Sequence, residues 1–314
     1  MEVGLMVEPQ VGGTYEELLQ LARWAEGAGL SSFARADHYL SGEDSGPTTD
    51  ALASLAGLAR DTNDIRLAVL VTPLTFRHPA VIAKTAATID EMSGGRFELG
   101  VGTGWMESEH ERFGLELPDM RKRFSLLYET LAYVRTAFGR EESDTFVGRH
   151  FQLDVPDVMP RPANLPIIIG GGGPKKTPRL AGRFADEYNM FMTDAETLAG
   201  RLDHMRAAAT EAGRNPDDIK LSMISQVIGG ADEAEYRANL ATEAAGRAMQ
   251  PEELEDRFKT RGMLHGTHDQ IAQRVGEIAA MGVGRLYIQY YAPLSAIDRD
   301  RMAADIGAVL AAGT

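Results

Sequence analysis

The chain has 314 residues, 44% of them hydrophobic, which is ample for a large buried core; α/β barrels reach this length as one unit. Its 46 acidic against 32 basic residues leave a formal charge of −14, which argues against a broad basic face for nucleic acid, so a phosphorylated ligand would need a local cationic pocket. With no cysteine, disulfides, thiolate catalysis, zinc–thiolate centres and iron–sulfur clusters are excluded.

The first residues carry no basic n-region and no long apolar run, and no later stretch is long enough to span a bilayer. The expectation is a soluble cytoplasmic protein without a membrane partner. Short apolar strands then alternate with amphipathic helices. Residues 3–7 read as a strand. A helix follows over 15–28, with Thr14 as N-cap, Glu17 completing a capping box and Gly29 ending it. Residues 32–35 are a strand and 50–60 a helix. Residues 66–71 are a strand and 80–91 a helix ended by Gly94-Gly95. Residues 97–101 are a strand and 122–138 a long helix.

Residues 139–165, rich in Pro, Asp and Arg, break the rhythm as an excursion with a hairpin near 145–151. The pattern resumes with a strand at 167–169, a helix at 178–184, a strand at 187–191, a helix at 195–211 and a strand at 219–228. A second excursion over 233–263 reads as helical, charged and mobile. A helix over 267–281, a strand over 285–290 and a helix over 298–310 complete the chain. About eight strand–helix units predict an α/β fold, a closed (β/α)8 TIM barrel with insertions after strands 4 and 7, as one domain over residues 1–314. An open doubly wound sheet is the alternative.

Active sites of such barrels lie at the C-terminal ends of the strands. Those ends carry Glu8 and Gln10, Asp37 and His38, Thr72 and Pro73, the Gly102–Trp105 turn, Gly170 to Gly173, Met192 and Thr193, Gln226, and Gln289. In Asp37-His38 a carboxylate beside an imidazole can fix its tautomer, but neighbours on an extended segment point oppositely, and an ordinary loop histidine fits as well. Thr72, held extended by Pro73, is either a rigid backstop for a planar ring or a plain Thr-Pro turn.

Gly100-Val101-Gly102-Thr103-Gly104-Trp105 lets a ligand lie on bare backbone beside a stacking indole, yet it fails as a dinucleotide fingerprint. Glu107, Glu109, His110 and Glu111 lack His-Glu-x-x-His spacing, so no metal site is expected; most of these charges read as a solvated helix face, with His110 aimed inward. Arg77 and Lys84 read as solvated. Neither a Gly-x-Ser-x-Gly elbow nor a P-loop occurs, which removes serine hydrolysis and nucleoside triphosphate hydrolysis.

Ile167-Ile168-Ile169 runs into Gly170, Gly171, Gly172, Gly173, Pro174, Lys175, Lys176 and Thr177: a buried strand, a glycine turn and a helix start, with Pro174 at the first helical position. Free N–H groups and the helix dipole make this an anion site, with cations from Lys175, Lys176 and Arg179; a tight turn needing small residues is the alternative.

In order and spacing, Ala36-Asp37-His38-Tyr39, the Val71–Ala80 stretch, the Ser93–Trp105 stretch and the run from Ile167 to Thr177 resemble the luciferase-like monooxygenase superfamily, and within it the branch that uses the deazaflavin coenzyme F420. Asp186, Asn189 and Gly266-Thr267 extend the likeness over nearly the whole chain. The resemblance implies a ring bound at the barrel mouth and a non-prolyl cis peptide near Val69, Leu70 and Val71, forming with Thr72 a bulge behind it. It implies the cofactor phosphate on the glycine run, and the Asp37-His38 loop beside the ring with His38 as proton donor or acceptor. Gly104, Trp105 and His110 complete the implied cofactor contacts.

One departure stands out: sugar-phosphate dehydrogenases of this branch carry a catalytic Glu where this chain has Trp105. The implied activity is hydride transfer between F420 and an unidentified small organic substrate. The alternatives are an FMN-dependent monooxygenase served by a flavin reductase partner, and a non-catalytic flavin-binding barrel. The family also implies a homodimer formed through helices near the second and third units.

Overall fold

Alternation within single strands sorts the barrel into two apolar layers. The computed structural model describes residues 1–41, 46–154 and 159–312. In β1 (Glu2–Val7), Leu5 and Val7 face the surrounding helices while Met6 points into the barrel. The chain continues through α1 (Tyr15–Gly27), β2 (Ser32–Arg35), α2 (Ala51–Asp61), β3 (Arg66–Pro73), α3 (Pro79–Ser93) and β4 (Phe97–Gly102). The capping box of α1 forms as predicted, Thr14 and Glu17 each serving the other's backbone. After α4 (Glu107–Phe113) and α5 (Met120–Ala137), the first excursion carries an antiparallel hairpin, β5 (Thr145–Val147) with β6 (Gln152–Asp154). Its residues 155–158 lie outside the described residues.

The barrel resumes with β7 (Ile167–Gly170), α6 (Lys176–Phe184), β8 (Glu187–Phe191), α7 (Ala195–Glu211) and β9 (Lys220–Ser225). Next come β10 (Val227–Gly230), α8 (Glu233–Gly246), α9 (Pro251–Arg261) and β11 (Leu264–Thr267), then α10 (His268–Ala280), β12 (Arg285–Tyr290) and α11 (Arg299–Ala312). Eight parallel strands close in the order β1-β12-β9-β8-β7-β4-β3-β2, so first and last strands pair as expected for a (β/α)8 barrel rather than an open sheet. Ile168 joins Met6, Ala34, Ala68, Leu70, Ile224 and Tyr287 inside, while Ile167 and Ile169 face the helices. Below this layer, Arg285 is paired with Glu2, Glu98 and Glu187 and fills the floor of the barrel.

Two local expectations are corrected. The predicted strand 219–228 breaks at Gln226: β9 stays in the barrel wall, and β10 leaves to pair in parallel with β11. Ser225 Oγ and Gln226 O both accept from Leu264 N, which ties the break to the second excursion. That excursion is helical as expected, and α8 and α9 pack Tyr236, Leu240, Leu254 and Phe258 over Ile228 in a core of their own. The second correction is Pro174, which lies before α6 rather than at its first position; Lys175 is the N-cap. The chain needs those residues to fold the glycine turn over Thr177. Pro178, in the first turn, loses nothing because N–H groups there have no partner in the helix. Among the described residues no helix is long and apolar enough to cross a membrane.

Candidate functional site

At the C-terminal end of the barrel lies a cavity of about 300 Å³ whose walls come from β1, β2, β3, β4, β7, β8, β9 and β12 and the turns that follow them. Its back is β3. The register of β3 against β4 shifts between Val69 and Thr72, and the Leu70–Val71 peptide is cis, at the place the family resemblance implied. Leu70 and Val71 line the cavity; Val69 and Thr72 are buried behind it. Val71 fills the space that side chains at the neighbouring glycines would need. A Cβ on Gly102 would meet its Cγ2 at 2.7 Å, and one on Gly170 its Cγ1 at 2.8 Å.

The glycine turn after β7 reaches the same rim. Gly170, Gly171 and Gly172 line the cavity, and Gly171 adopts a φ of 145°, a conformation that glycine tolerates best. A Cβ on Gly173 would lie 2.7 Å from Thr177 Oγ1, so the turn closes over that hydroxyl. The result is a bare-backbone cradle beside the first turn of α6. Pro174, Lys175 and Lys176 are exposed and stand outside the cavity, with Lys176 Nζ 5.0 Å from the centre of the Phe124 ring.

His38 enters from the loop after β2. Its Nδ1 lies 3.0 Å from Glu109 Oε2 on α4, and Glu109 Oε1 accepts the backbone N–H groups of Tyr39 and Leu40. One buried carboxylate therefore fixes both the ring and its loop, leaving Nε2 as the nitrogen that can meet a ligand. Burial disfavours the His38 imidazolium, but the hydrogen bond and charge of Glu109, helped by Glu8 and Asp37, outweigh it and raise the pKa above the ordinary histidine value. Burial likewise opposes the Glu109 charge, and His38 with the two backbone N–H groups overcomes it, holding the carboxyl below its usual range.

Asp37 does not share the cavity. It is buried and takes Arg77 Nη1 at 2.5 Å, while Arg77 also binds Asp50 and Tyr39. Arg77, expected in solvent, is thus the brace of the histidine loop. His110 lines the cavity, but both its nitrogens are engaged, Nδ1 with Met106 O at 2.7 Å and Nε2 with Thr75 Oγ1 at 2.7 Å. Trp105 stands at the rim, 67% exposed, its ring edge-on to His38 with centroids 5.6 Å apart. Phe191, 57% exposed, forms another part of that rim.

Glu109 was missed as a site residue because it sits in a run of charges that looks solvated, 71 positions from the histidine it holds. Glu8, named only as a strand-end residue, is a buried cavity carboxyl. Burial raises its pKa against the hydrogen bonds of Gln10 and Gln289 and the charge of His38. No sequence signal marks either role. The cavity has the makings of a site for a flat, phosphate-bearing molecule: a backbone cradle for an anion, a flat apolar wall at Leu70-Val71, and one oriented imidazole.

The family model for luciferase-like monooxygenase matches residues 1–285. Over 217 residues the chain is 36% identical to an F420-dependent glucose-6-phosphate dehydrogenase of Nakamurella multipartita, an alignment covering 67% of this chain and 63% of that protein. The chain thus spans somewhat less than two thirds of that relative's length. It is 26% identical over 292 residues to an FMNH2-dependent dimethylsulfone monooxygenase of Pseudomonas fluorescens, covering 84% of this chain and 79% of the relative. Among solved structures, an F420-dependent secondary alcohol dehydrogenase in complex with an F420-acetone adduct superposes with a TM-score of 0.78 at 22% identity, covering 98% of each chain. An EDTA monooxygenase from Chelativorans sp. BNC1 gives 0.80 at 17% identity, covering 99% of this chain and 92% of that one. At those identities the likeness speaks for the fold.

Proposed function

This chain belongs to the luciferase-like monooxygenase family, and from that premise we propose that it is an oxidoreductase moving a hydride between coenzyme F420 and a small organic substrate. The observation that carries the reading is the meeting of three features in one cavity: the Gly170–Gly172 backbone, the Leu70-Val71 wall and the His38–Glu109 pair. The F420-dependent relatives support the choice of cofactor. When bound, the deazaflavin supplies the carbon that gives or takes the hydride.

Every other task falls to side chains and backbone of this chain. The glycine turn offers N–H groups to a phosphate, as bare backbone next to a helix start does. Leu70 and Val71 hold the ring from behind. His38 Nε2 gives or takes the proton at the substrate oxygen, with Glu109 keeping Nδ1 engaged so that Nε2 is the atom presented. Trp105 and Phe191 shield that exchange from water at the rim. By the family resemblance, Trp105 stands where the sugar-phosphate dehydrogenases have an acid, which counts against glucose 6-phosphate as the natural substrate.

FMN-dependent monooxygenation is the second reading, favoured by the dimethylsulfone monooxygenase relative, whose alignment covers more of this chain than those of the F420-dependent dehydrogenases. Anaerobic fluorescence titration with F420 and with FMN separates the two. Tighter F420 binding, followed by F420 reduction with a panel of alcohols, supports the first. Tighter FMN binding, with substrate-dependent oxygen uptake once a flavin reductase is added, replaces it with the second. Binding of neither cofactor removes both.

A further inference from the structure

A series of side-chain hydrogen bonds ties the second excursion to the cavity carboxyl Glu8. Arg247, which ends α8, donates from Nη2 to Glu243 Oε2 at 3.1 Å and from Nη1 to Gln226 Oε1 at 2.9 Å. Glu243 is itself anchored by Arg301 of α11. Gln226, at the break between β9 and β10, donates from Nε2 to Gln289 Oε1 on β12 at 3.4 Å, the longest step of the series. Gln289 Nε2 donates to Glu8 Oε1, and Gln10 Nε2 reaches Glu8 Oε2 at 2.5 Å. Gln226 and Gln289 line a second cavity of about 740 Å³, while Gln289 and Glu8 line the first, so the series passes from one cavity to the other.

The direction of the series follows from its first member. A guanidinium donates and never accepts, so Gln226 must turn its carbonyl to Arg247 and its NH2 group to Gln289. Gln289 then offers its carbonyl to Gln226 and its NH2 group to Glu8. Either amide alone could stand reversed. With Arg247 at the head, a reversal would set N–H against N–H. Gln10 is not held in this way, because its Oε1 is buried with no hydrogen-bond partner. Exchanging the ends of that amide gives up only its bond to Glu8, and the bond re-forms with Gln10 as acceptor once Oε2 carries a proton.

Glu8 and His38 each favour the other's charge. The other charges around the two are Arg35 beside Glu8, occupied by Ala36, Thr49 and Ser54, and Asp37 and Glu109 beside His38. We propose that Arg247 is a positioning residue of the cavity: through Gln226 and Gln289 it holds a donor against Glu8 Oε1, so that this carboxyl exchanges its proton only at Oε2, and the charge facing His38 answers to the second excursion. The proposal rests on the function given above only for its effect on turnover.

The test follows Glu8 and His38 by NMR titration in the cofactor-free protein, with the Glu8 carboxyl signal assigned by its loss in Glu8→Gln. In Arg247→Met, Gln289 is free to turn its carbonyl to a protonated Glu8. The Glu8 pKa is then expected to rise by about one unit, tenfold in proton affinity, the weight of one hydrogen bond exchanged. His38, beside a less charged neighbour, titrates lower. Gln226→Met, which keeps the Arg247 charge, moves both groups in the same directions. Arg247→Lys, whose ammonium also only donates, keeps the wild-type values.

Unmoved titrations in Gln226→Met overturn the relay. So does a His38 that rises together with Glu8 in Arg247→Met, as removal of a positive charge alone would produce. Should the variants fold poorly, wild type decides: the side-chain NH2 resonances of both Gln289 and Gln226 must move as Glu8 titrates, and a stationary Gln226 breaks the series. The redox reading fails separately, since no cofactor enters these titrations. In turnover, the pH profile of kcat for Arg247→Met is expected to shift downward with His38. Shifted titrations beside an unmoved profile remove His38 from the chemistry and leave the relay standing.

Discussion

Replacing Glu109 by glutamine isolates what the buried carboxylate does for His38. The carboxylate is 1% exposed, lies 3.0 Å from Nδ1, and also accepts the N–H groups of Tyr39 and Leu40. Glutamine has the same shape, and its carbonyl oxygen can keep both backbone donors. Its amide nitrogen then faces His38, so the charge is lost and Nδ1 must turn acceptor. A hydrogen bond to a charged group contributes about 1.5–3 kcal/mol and a neutral one about 0.5–1.5 kcal/mol, so the variant should lose about 1–2 kcal/mol of stability.

The loss depends on pH with a definite sign. The folded His38 pKa lies above its unfolded value, so the pair's contribution is complete below the unfolded pKa of ~6.5 and disappears as pH rises through the folded one. Glu109, held below its ordinary value, stays ionised throughout that window. Urea unfolding at about pH 6 and about pH 9 should therefore show a deficit that is larger at the lower pH. The His38 ring resonance in the NMR spectrum should titrate at lower pH in the variant than in wild type. An identical deficit at both pH values, together with an unmoved titration, would refute the pairing.

Three further outcomes are expected. His38→Ala should keep cofactor affinity in fluorescence titration and lower turnover by roughly 100-fold or more, the usual weight of a positioned acid–base group; undiminished turnover would remove His38 from the chemistry. Gly170→Ala places a Cβ 2.8 Å from Val71 Cγ1, so the β3 bulge must move; about 1–3 kcal/mol of stability and most ring affinity should be lost, read by unfolding and titration. At the barrel floor, burial pushes the Glu187 carboxyl up to about 7, although Arg285 lies 3.1 Å away, because that arginine is shared with Glu98 and Glu2. The folded state thus holds that proton more tightly than the unfolded one. Wild type should lose stability as pH rises from about 4.5 to about 7 through this group, and Glu187→Gln should flatten that loss in melting curves.

Periodicity, caps and turn residues carry local information, and they made the barrel readable. Alternation of strand and helix gave the eightfold count, Thr14 with Glu17 marked a real helix start, and the Ile167–Gly173 run marked the turn that reaches the cavity. The break at Gln226 was not readable, because β10 leaves the barrel only when β11, more than thirty positions later, offers it an edge. Pro174 misled for a similar reason: the start of α6 is set by how the glycine turn covers Thr177, not by the proline's own preference.

Short-range pattern, which marks strand ends and glycine turns, was enough to bring Glu8, His38, Trp105 and the Gly170–Gly172 run to the mouth. Packing across the barrel chose their partners. It turned Asp37 away from His38 toward Arg77 and gave the imidazole to Glu109 instead. It withdrew the lysines after the glycine turn and brought Arg123 and Arg201 to the turns' carbonyls. The physical reason is that a buried charge takes whichever opposite charge or dipole the packing brings within about 3 Å, and across a closed barrel that neighbour is fixed by strand order and helix docking rather than by distance along the chain.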